Sequence, residues 1–189
     1  MREESRTNLT RRGLLGAFAA TAFTAAPTYS NAFGFLKGAG DIRTIRLYST
    51  RSGESVNTVY WIEGNYIRDA LKEINFLMRD WRSGRTINID THAIDIIAAS
   101  QNVMDSEQPF LMLSGYRTPE TNALLRSRSR SVARNSMHVE GRAADLRMQG
   151  RSVAQIARAA TSFGAGGVGR YSRSNFVHVD SGPIRTWGR

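Results

Sequence analysis

Ser136-Met137-His138-Val139-Glu140-Gly141-Arg142-Ala143-Ala144-Asp145 is the stretch on which the fold turns. Its counterpart is Phe176-Val177-His178-Val179-Asp180, with His178 lying 40 residues beyond His138. The chain has 3 histidines and no cysteine, and two of those histidines stand in these segments beside carboxylates. A zinc ion that does chemistry takes about three protein ligands, usually His with one carboxylate, and leaves a position for water. These two segments can supply such a set, and little else in the sequence can.

Spacing dictates local structure. Donors to one ion must lie within roughly 3–4 Å of one another. Seven residues span about 23 Å on a straight strand and about 10 Å on a helix. His138 and Asp145 can therefore meet at one ion only if the chain between them folds back. Gly141 can provide the bend, because it adopts backbone angles that other residues resist. Ala143 and Ala144 are small enough for the returning strand to pack closely. In the second segment, His178 and Asp180 are two apart on a strand and project from the same face as Phe176. Val177 and Val179 point to the opposite face. For an isolated histidine a hydrogen-bonded surface role is the simpler reading, and it is the one taken for His92. Glu140 and Arg142 read as loop residues.

Working outward, Ile42 to Tyr48 alternates as a strand, Thr50 to Glu54 is a turn, and Val56 to Ile62 completes a hairpin. Asn65 is placed to cap a helix from Tyr66 to Trp81, with Ile67, Leu71, Ile74, Leu77, Met78 and Trp81 at helical spacing. A second helix, His92 to Met104, follows a cap at Asp90 or Thr91 and carries Ile94, Ile97 and Ala98. Phe110 to Ser114 is a buried strand running into Gly115-Tyr116-Arg117-Thr118-Pro119, and Pro119 favours a short helix through Arg126. Ser127 to Asn135 is a loop. Ala143 to Met148 is a strand, Val153 to Phe163 a helix, and the glycines from Gly164 to Gly169 permit a tight turn into a further strand. Phe176 to Asp180 is the last expected strand, ahead of a basic, Trp-ended tail. With no repeat and no dividing linker, the expectation is a single α+β domain with a central antiparallel sheet flanked by helices.

At 189 residues the chain suits one domain with a real core, and its 22% charged and 41% hydrophobic residues exclude global disorder. The net charge of +10 could fit nucleic acid or an anionic wall. Its arginines are scattered, apart from Arg126-Ser127-Arg128-Ser129-Arg130-Ser131. The N-terminus argues against nucleic acid. Arg11-Arg12 directly precede an apolar stretch from Leu14 to about Ala26, too short for a hydrocarbon core that needs about 20 residues. Ser30-Asn31-Ala32 follows with small residues, so 1–32 reads as a twin-arginine-type export signal cleaved after Ala32, with Ala26 the alternative. Residues 33–189 are then the working domain, still basic at +8 once four Arg and two Glu are removed. Without cysteine there is neither a disulfide nor a thiol-linked lipid anchor. A periplasmic protein with no stable membrane anchor is expected.

The residues also carry a family resemblance. Ser136-x-His138-x-x-Gly141-x-Ala143-x-Asp145 resembles the first zinc motif of the M15 zinc peptidases, the D-Ala-D-Ala carboxypeptidase and dipeptidase group. Ser114-Gly115-Tyr116-Arg117-Thr118 resembles the segment that precedes it there. The ending, Gly166-Gly167-Val168-Gly169 through Phe176-Val177-His178-Val179-Asp180-Ser181-Gly182-Pro183 to Arg185-x-Trp187, is similar to the narrower MepK-like branch of murein endopeptidases. The resemblance covers essentially the whole of residues 33–189. It implies a Hedgehog/DD-peptidase-like fold and a zinc peptidase acting on the peptide cross-links of peptidoglycan. His138, Asp145 and His178 would be its Zn²⁺ ligands. Arg117 would stabilise an oxyanion or hold a substrate carboxylate, and Ser136 would bind the peptide. The chain departs from that pattern at the general base. Where several M15 enzymes place Glu or His ahead of the last ligand, this sequence has Asn175 and Phe176. Asp180 is left as base or as orienter of His178, with Glu140 a more distant candidate.

The expected activity is hydrolysis of the L,D (3–3) link between diaminopimelate residues, with the D,D (4–3) link as the weaker option. The missing Glu supports one alternative, a non-catalytic zinc-containing module that binds or regulates at the wall.

Overall fold

The alternating stretch and the β-branched run that follows it form the hairpin expected of them. β1 (Ile42–Ser49) buries Arg43, Ile45, Leu47 and Ser49 and pairs antiparallel with β2 (Ser55–Ile62). The computed structural model describes residues 41–188. The expected export signal and the glycine-rich stretch Gly34 to Gly40 lie outside the described residues.

The first helix differs from its expected span at both ends. β3 (Asn65–Tyr66) extends the hairpin, with Tyr66 opposite Trp61, so α1 (Arg68–Leu77) begins later and Asn65 is a strand residue rather than its cap. Tertiary contacts explain the change. The Tyr66 ring sits edge-on to Trp61 at 4.6 Å, and its hydroxyl donates to Asp95 at 2.7 Å. At the other end, Trp81 leaves the apolar stripe and lies in a turn, 41% exposed, with Arg82 stacked on its ring at 4.2 Å.

α2 (Thr91–Val103) is capped by Asp90, whose carboxylate accepts from the His92 amide at 3.0 Å. It is buried on more than the one expected stripe, from Ala93 through Gln101. Its polar residues are paired accordingly. Asp95 accepts from Arg43, Tyr60 and Tyr66 at 2.7–3.0 Å, and Gln101 bonds both the amide and the carbonyl of Arg46. Each fully buried isoleucine of this helix contributes about 1.5–3 kcal/mol.

The remaining elements are β4 (Phe110–Ser114), α3 (Pro119–Arg128), β5 (Ala143–Arg147), α4 (Val153–Thr161), β6 (Gly167–Tyr171), β7 (Phe176–Asp180) and β8 (Arg185–Gly188). They complete one eight-stranded sheet in the order β3-β2-β1-β4-β5-β7-β6-β8. Neighbours are antiparallel except β1–β4 and β6–β8, which run parallel. The described residues thus form the single α+β domain expected, with a C-terminal strand where the sequence reading has only a tail. Helices α2 and α4 pack on each other and on β7. Val177 and Val179 are buried toward that core, which leaves Phe176, His178 and Asp180 on the other face. No helix among the described residues is long and apolar enough to cross a membrane.

The turn from β4 into α3 is docked on the end of α1. The Tyr116 amide donates to the Met78 carbonyl at 2.7 Å, and a Cβ at Gly115 would stand 2.5 Å from the same oxygen, so only glycine fits. Asp80, buried, accepts from the amide and hydroxyl of Thr118 at 2.9 and 3.0 Å and from the Arg82 amide at 3.0 Å. Burial alone would raise the Asp80 carboxyl, but hydrogen bonds from Thr121, Thr118 and Arg82 outweigh it and lower its pKa. A lowered native pKa stabilises the fold above the unfolded value of about 3.9, and that contribution fades as acid protonates the native carboxylate. Asp80→Asn should therefore lose about 1–3 kcal/mol at neutral pH, with the gap to wild type closing below about pH 4. Urea unfolding across pH measures both.

Candidate metal centre

His138 is delivered by a hydrogen-bonded turn, and the way that turn ends brings Asp145 back to it. The Val139 amide donates to Ser136 and the Glu140 amide to Met137. Gly141 then adopts φ +69, its amide donates to the His138 carbonyl, and the Arg142 amide reaches back to Met137 at 2.9 Å. The turn thus closes with the same pair of bonds around a glycine that ends many helices. The chain reverses and enters β5, where Ala143 and Ala144 are fully buried and Asp145 lies opposite His178 of β7. Residues seven apart in sequence thus share one site, as the spacing argument requires.

Three donor atoms converge. His138 Nε2 lies 3.2 Å from Asp145 Oδ1 and 3.2 Å from His178 Nδ1, and His178 Nδ1 lies 3.0 Å from Asp145 Oδ1. These side chains form a cluster able to hold a metal ion. The far atom of each is tied down. His138 Nδ1 is 2.7 Å from the Gly115 carbonyl, which can only accept, so the proton sits on Nδ1 and the Nε2 lone pair faces the cluster. His178 Nε2 is 2.9 Å from Asp180 Oδ2, which can hold a proton on Nε2, so a ring that ligates through Nδ1 keeps its Nε2–H donated to Asp180. The second Asp145 oxygen accepts from Arg117 Nη2 at 2.6 Å. This donor set of two imidazoles and one carboxylate, each oriented from behind, fits a tetrahedral metal with one position left for water.

Electrostatics agree with that arrangement. Burial lowers the pKa of His138 and keeps it neutral, with Arg117 acting in the same direction. Burial would raise Asp145, but the facing histidines hold it far below the usual carboxylate range. Burial also opposes protonation of His178, yet its hydrogen bonds to Asp145 and Asp180 prevail and raise its pKa, so without a metal its Nδ1 favours a proton shared with Asp145, which a metal would displace.

The other candidates fall in distinct places. Arg117 donates from Nε to Ser114 Oγ at 2.9 Å, and its amide binds the His138 carbonyl at 3.1 Å, so it is locked beside the cluster. It lines an open cleft of about 460 Å³ together with Ser136, Met137, Tyr171, Arg185 and Trp187. Asp180 sits behind His178, fully buried, in five hydrogen bonds: from the amides of Gly167 and Gly182, from Arg185 Nη1 and Nη2, and from His178. Burial opposes its ionisation, but His178 and Arg185 hold its carboxyl well below the ordinary range. Glu140 pairs with Arg142 at 3.3 Å outside the cleft lining. His92 is a first-turn residue of α2 whose amide binds the Asp90 cap.

Sequence reasoning misses the cleft wall made by Tyr171, Phe176 and Trp187. Tyr171 stacks on Phe176 at 4.4 Å, and the Trp187 indole nitrogen donates to the Tyr171 hydroxyl at 3.0 Å. The available signal is the period of two in Arg185-Thr186-Trp187, which repeats that of His178-Val179-Asp180.

Comparison with known proteins gives a consistent result. The family model described as "Peptidoglycan L,D-endopeptidase MepK" matches residues 37–187. "Peptidoglycan L,D-endopeptidase MepK" of Escherichia coli K12 is 39% identical over 145 residues, covering 77% of this chain and 80% of that one. "Probable peptidoglycan L,D-endopeptidase MepK" of Haemophilus influenzae is 34% identical over 146 residues, covering 77% and 78%.

Gly141 offers a direct check on the fold-back. A Cβ there would lie 2.9 Å from Ile87 Cγ2 and 3.2 Å from the Asn88 carbonyl, in a backbone conformation that side chains resist. Gly141→Ala should destabilise the protein by about 1–3 kcal/mol, seen as a lower midpoint in thermal unfolding.

Proposed function

The chain belongs to the family of the peptidoglycan L,D-endopeptidase MepK, and on that premise we propose that it is a zinc-dependent endopeptidase cutting peptide cross-links of murein, at the L,D (3–3) link between diaminopimelate residues. The observation that carries the reading is the His138–Asp145–His178 cluster, with its three donor atoms 3.0–3.2 Å apart on the floor of an open cleft.

His138 Nε2, Asp145 Oδ1 and His178 Nδ1 would hold the zinc. When bound, zinc polarises the scissile carbonyl and lowers the pKa of water toward 7. The protein's own part is positioning. The Gly115 carbonyl and Asp180 keep each imidazole proton on the outward nitrogen. Arg117 holds Asp145 from its second oxygen while facing the cleft, where it can also meet a carboxylate or a developing oxyanion. Arg185 adds a second guanidinium to the cleft lining, and Ser136 lies beside His138 to bond the peptide. Of its two expected roles, Asp180 takes that of orienter. A fully buried carboxylate already in five hydrogen bonds is poorly placed to remove a proton from water in the cleft.

A basic chain suits a polymer whose peptides carry free carboxylates. A murein substrate implies an extracytoplasmic place of work, and the Arg11-Arg12 segment supports delivery to the periplasm by the twin-arginine route, with 1–32 removed.

Purified protein should release fragments from murein rich in 3–3 cross-links, lose that activity to a chelator and regain it with zinc. Mass identification of the products then tells L,D from D,D cleavage. Full activity in His138→Ala would overturn the reading, as would zinc binding without any fragment release. Arg117→Lys, which cannot span Ser114 and Asp145 together, should lower turnover by about 10–100-fold while the fold, followed by circular dichroism, is kept.

A further inference from the structure

β6 separates the strand that carries His178 from β8, yet side chains of the outer strands meet across it. On one face of the sheet, Asp180, Gly167 and Arg185 form one row and His178, Gly169 and Trp187 the next. Adjacent strands lie about 4.8 Å apart, so side chains two strands away cannot touch over an ordinary residue. Both middle positions are glycine. A Cβ at Gly167 would lie 2.6 Å from Asp180 Oδ2 and would also strike Arg185, and one at Gly169 would lie 2.5 Å from the Trp187 ring. Across this bare lane Arg185 grips Asp180 with both Nη atoms, at 3.0 and 2.7 Å. The Trp187 ring stands 5.3 Å from that of His178 and is itself held by the Tyr171 hydroxyl and the Arg185 guanidinium.

We propose that β8 is a clamp on the metal centre, in which Arg185 is a positioning residue that fixes the tautomer and orientation of His178 through Asp180, while Trp187 packs the imidazole from the side. The clamp rests on the reading of His178 as a metal ligand. A carboxylate with no exposed surface requires a counter-charge, and a lone carboxylate can turn either oxygen toward a neighbour. The bidentate fork supplies the charge and removes that freedom, because both carboxylate oxygens are engaged by a rigid planar group. Asp180 then presents one fixed oxygen to His178 Nε2, and the Nδ1 lone pair stays directed at Asp145 and His138. Thr186, between the two clamp residues, points to the opposite face beside Val168 and Arg170.

The test measures zinc affinity by competition with a chromophoric chelator, and reads the His178 tautomer from nitrogen-15 spectra of the metal-free protein at a pH high enough for the ring to be neutral. Arg185→Gln should weaken zinc binding by about 10–100-fold and turn a single Nε2-protonated ring into a mixture. Thr186→Ala, on the same strand with its side chain reversed, should leave both readings at wild-type values. Wild-type affinity and a single tautomer in Arg185→Gln would overturn the clamp. If that variant does not fold, Arg185→Lys decides, since it keeps a charge beside Asp180 but not the fork. A mixed tautomer in it supports the clamp, and a single one overturns it. Wild-type protein that binds no zinc would overturn the metal reading instead, while the ring tautomer still decides the clamp.

Discussion

Three metal-type donor atoms stand 3.0–3.2 Å apart, and much of this structure is arranged to hold them there. No side chain of the trio is left to find its own orientation. A backbone carbonyl from the β4–α3 turn, a carboxylate on β7 and a guanidinium from the same β4–α3 turn each secure one of them from behind. Those supports are themselves anchored. Asp80 fixes Thr118 beside Arg117, and the Arg142–Ser181–Asp90 network ties the His138 turn to the end of β7 and to the cap of α2. Local order in the site is therefore an outcome of tertiary packing, with helix caps and turns serving as its fixed points.

The division of the sheet into two faces follows from the same demand. Helices α2 and α4 cover one face and bury Val177 and Val179, so the rigid core lies directly beneath the strand that bears His178. The opposite face is left to the Ser131–Asn135 segment and the aromatic wall, which shape an open cleft rather than a second core. Substrate contact and structural stiffness thus occupy opposite sides of one strand, separated by its period of two.

That period explains what could be read in advance. The His178/Asp180 face, the apolar Val177/Val179 face and the reversal at Gly141 are local facts, set by alternation and by a backbone that only glycine adopts easily. They were legible. What was not legible depends on partners distant in sequence. Tyr66 reads as the first helical residue after an Asn65 cap, but Asp95 and Trp61 draw it into a strand. Trp81 fits an apolar stripe, but the helix stops before it and arginines cover its ring. Asp80 carries no motif at all, and its role appears only once the β4–α3 turn is seen docked on α1. The basic, Trp-ended tail gave no strand signal strong enough to read, because four residues are stabilised as β8 by parallel pairing to β6 rather than by their own propensity. The two readings of Asp180 could be separated only by its neighbours, since residue type is silent on whether a carboxylate is open to water or enclosed.

The bare lane along β6 has an evolutionary corollary. Any side chain arriving at position 167 or 169 enters space already filled by Arg185, Asp180 or Trp187. Drift at these glycines is thus not independent of drift at 185 and 187, although 18 positions separate each pair and the strands meet only in the fold. Among descendants of this sequence, a larger residue in the lane should appear together with a smaller or shorter one on β8, so that the two strands change as a single inherited unit.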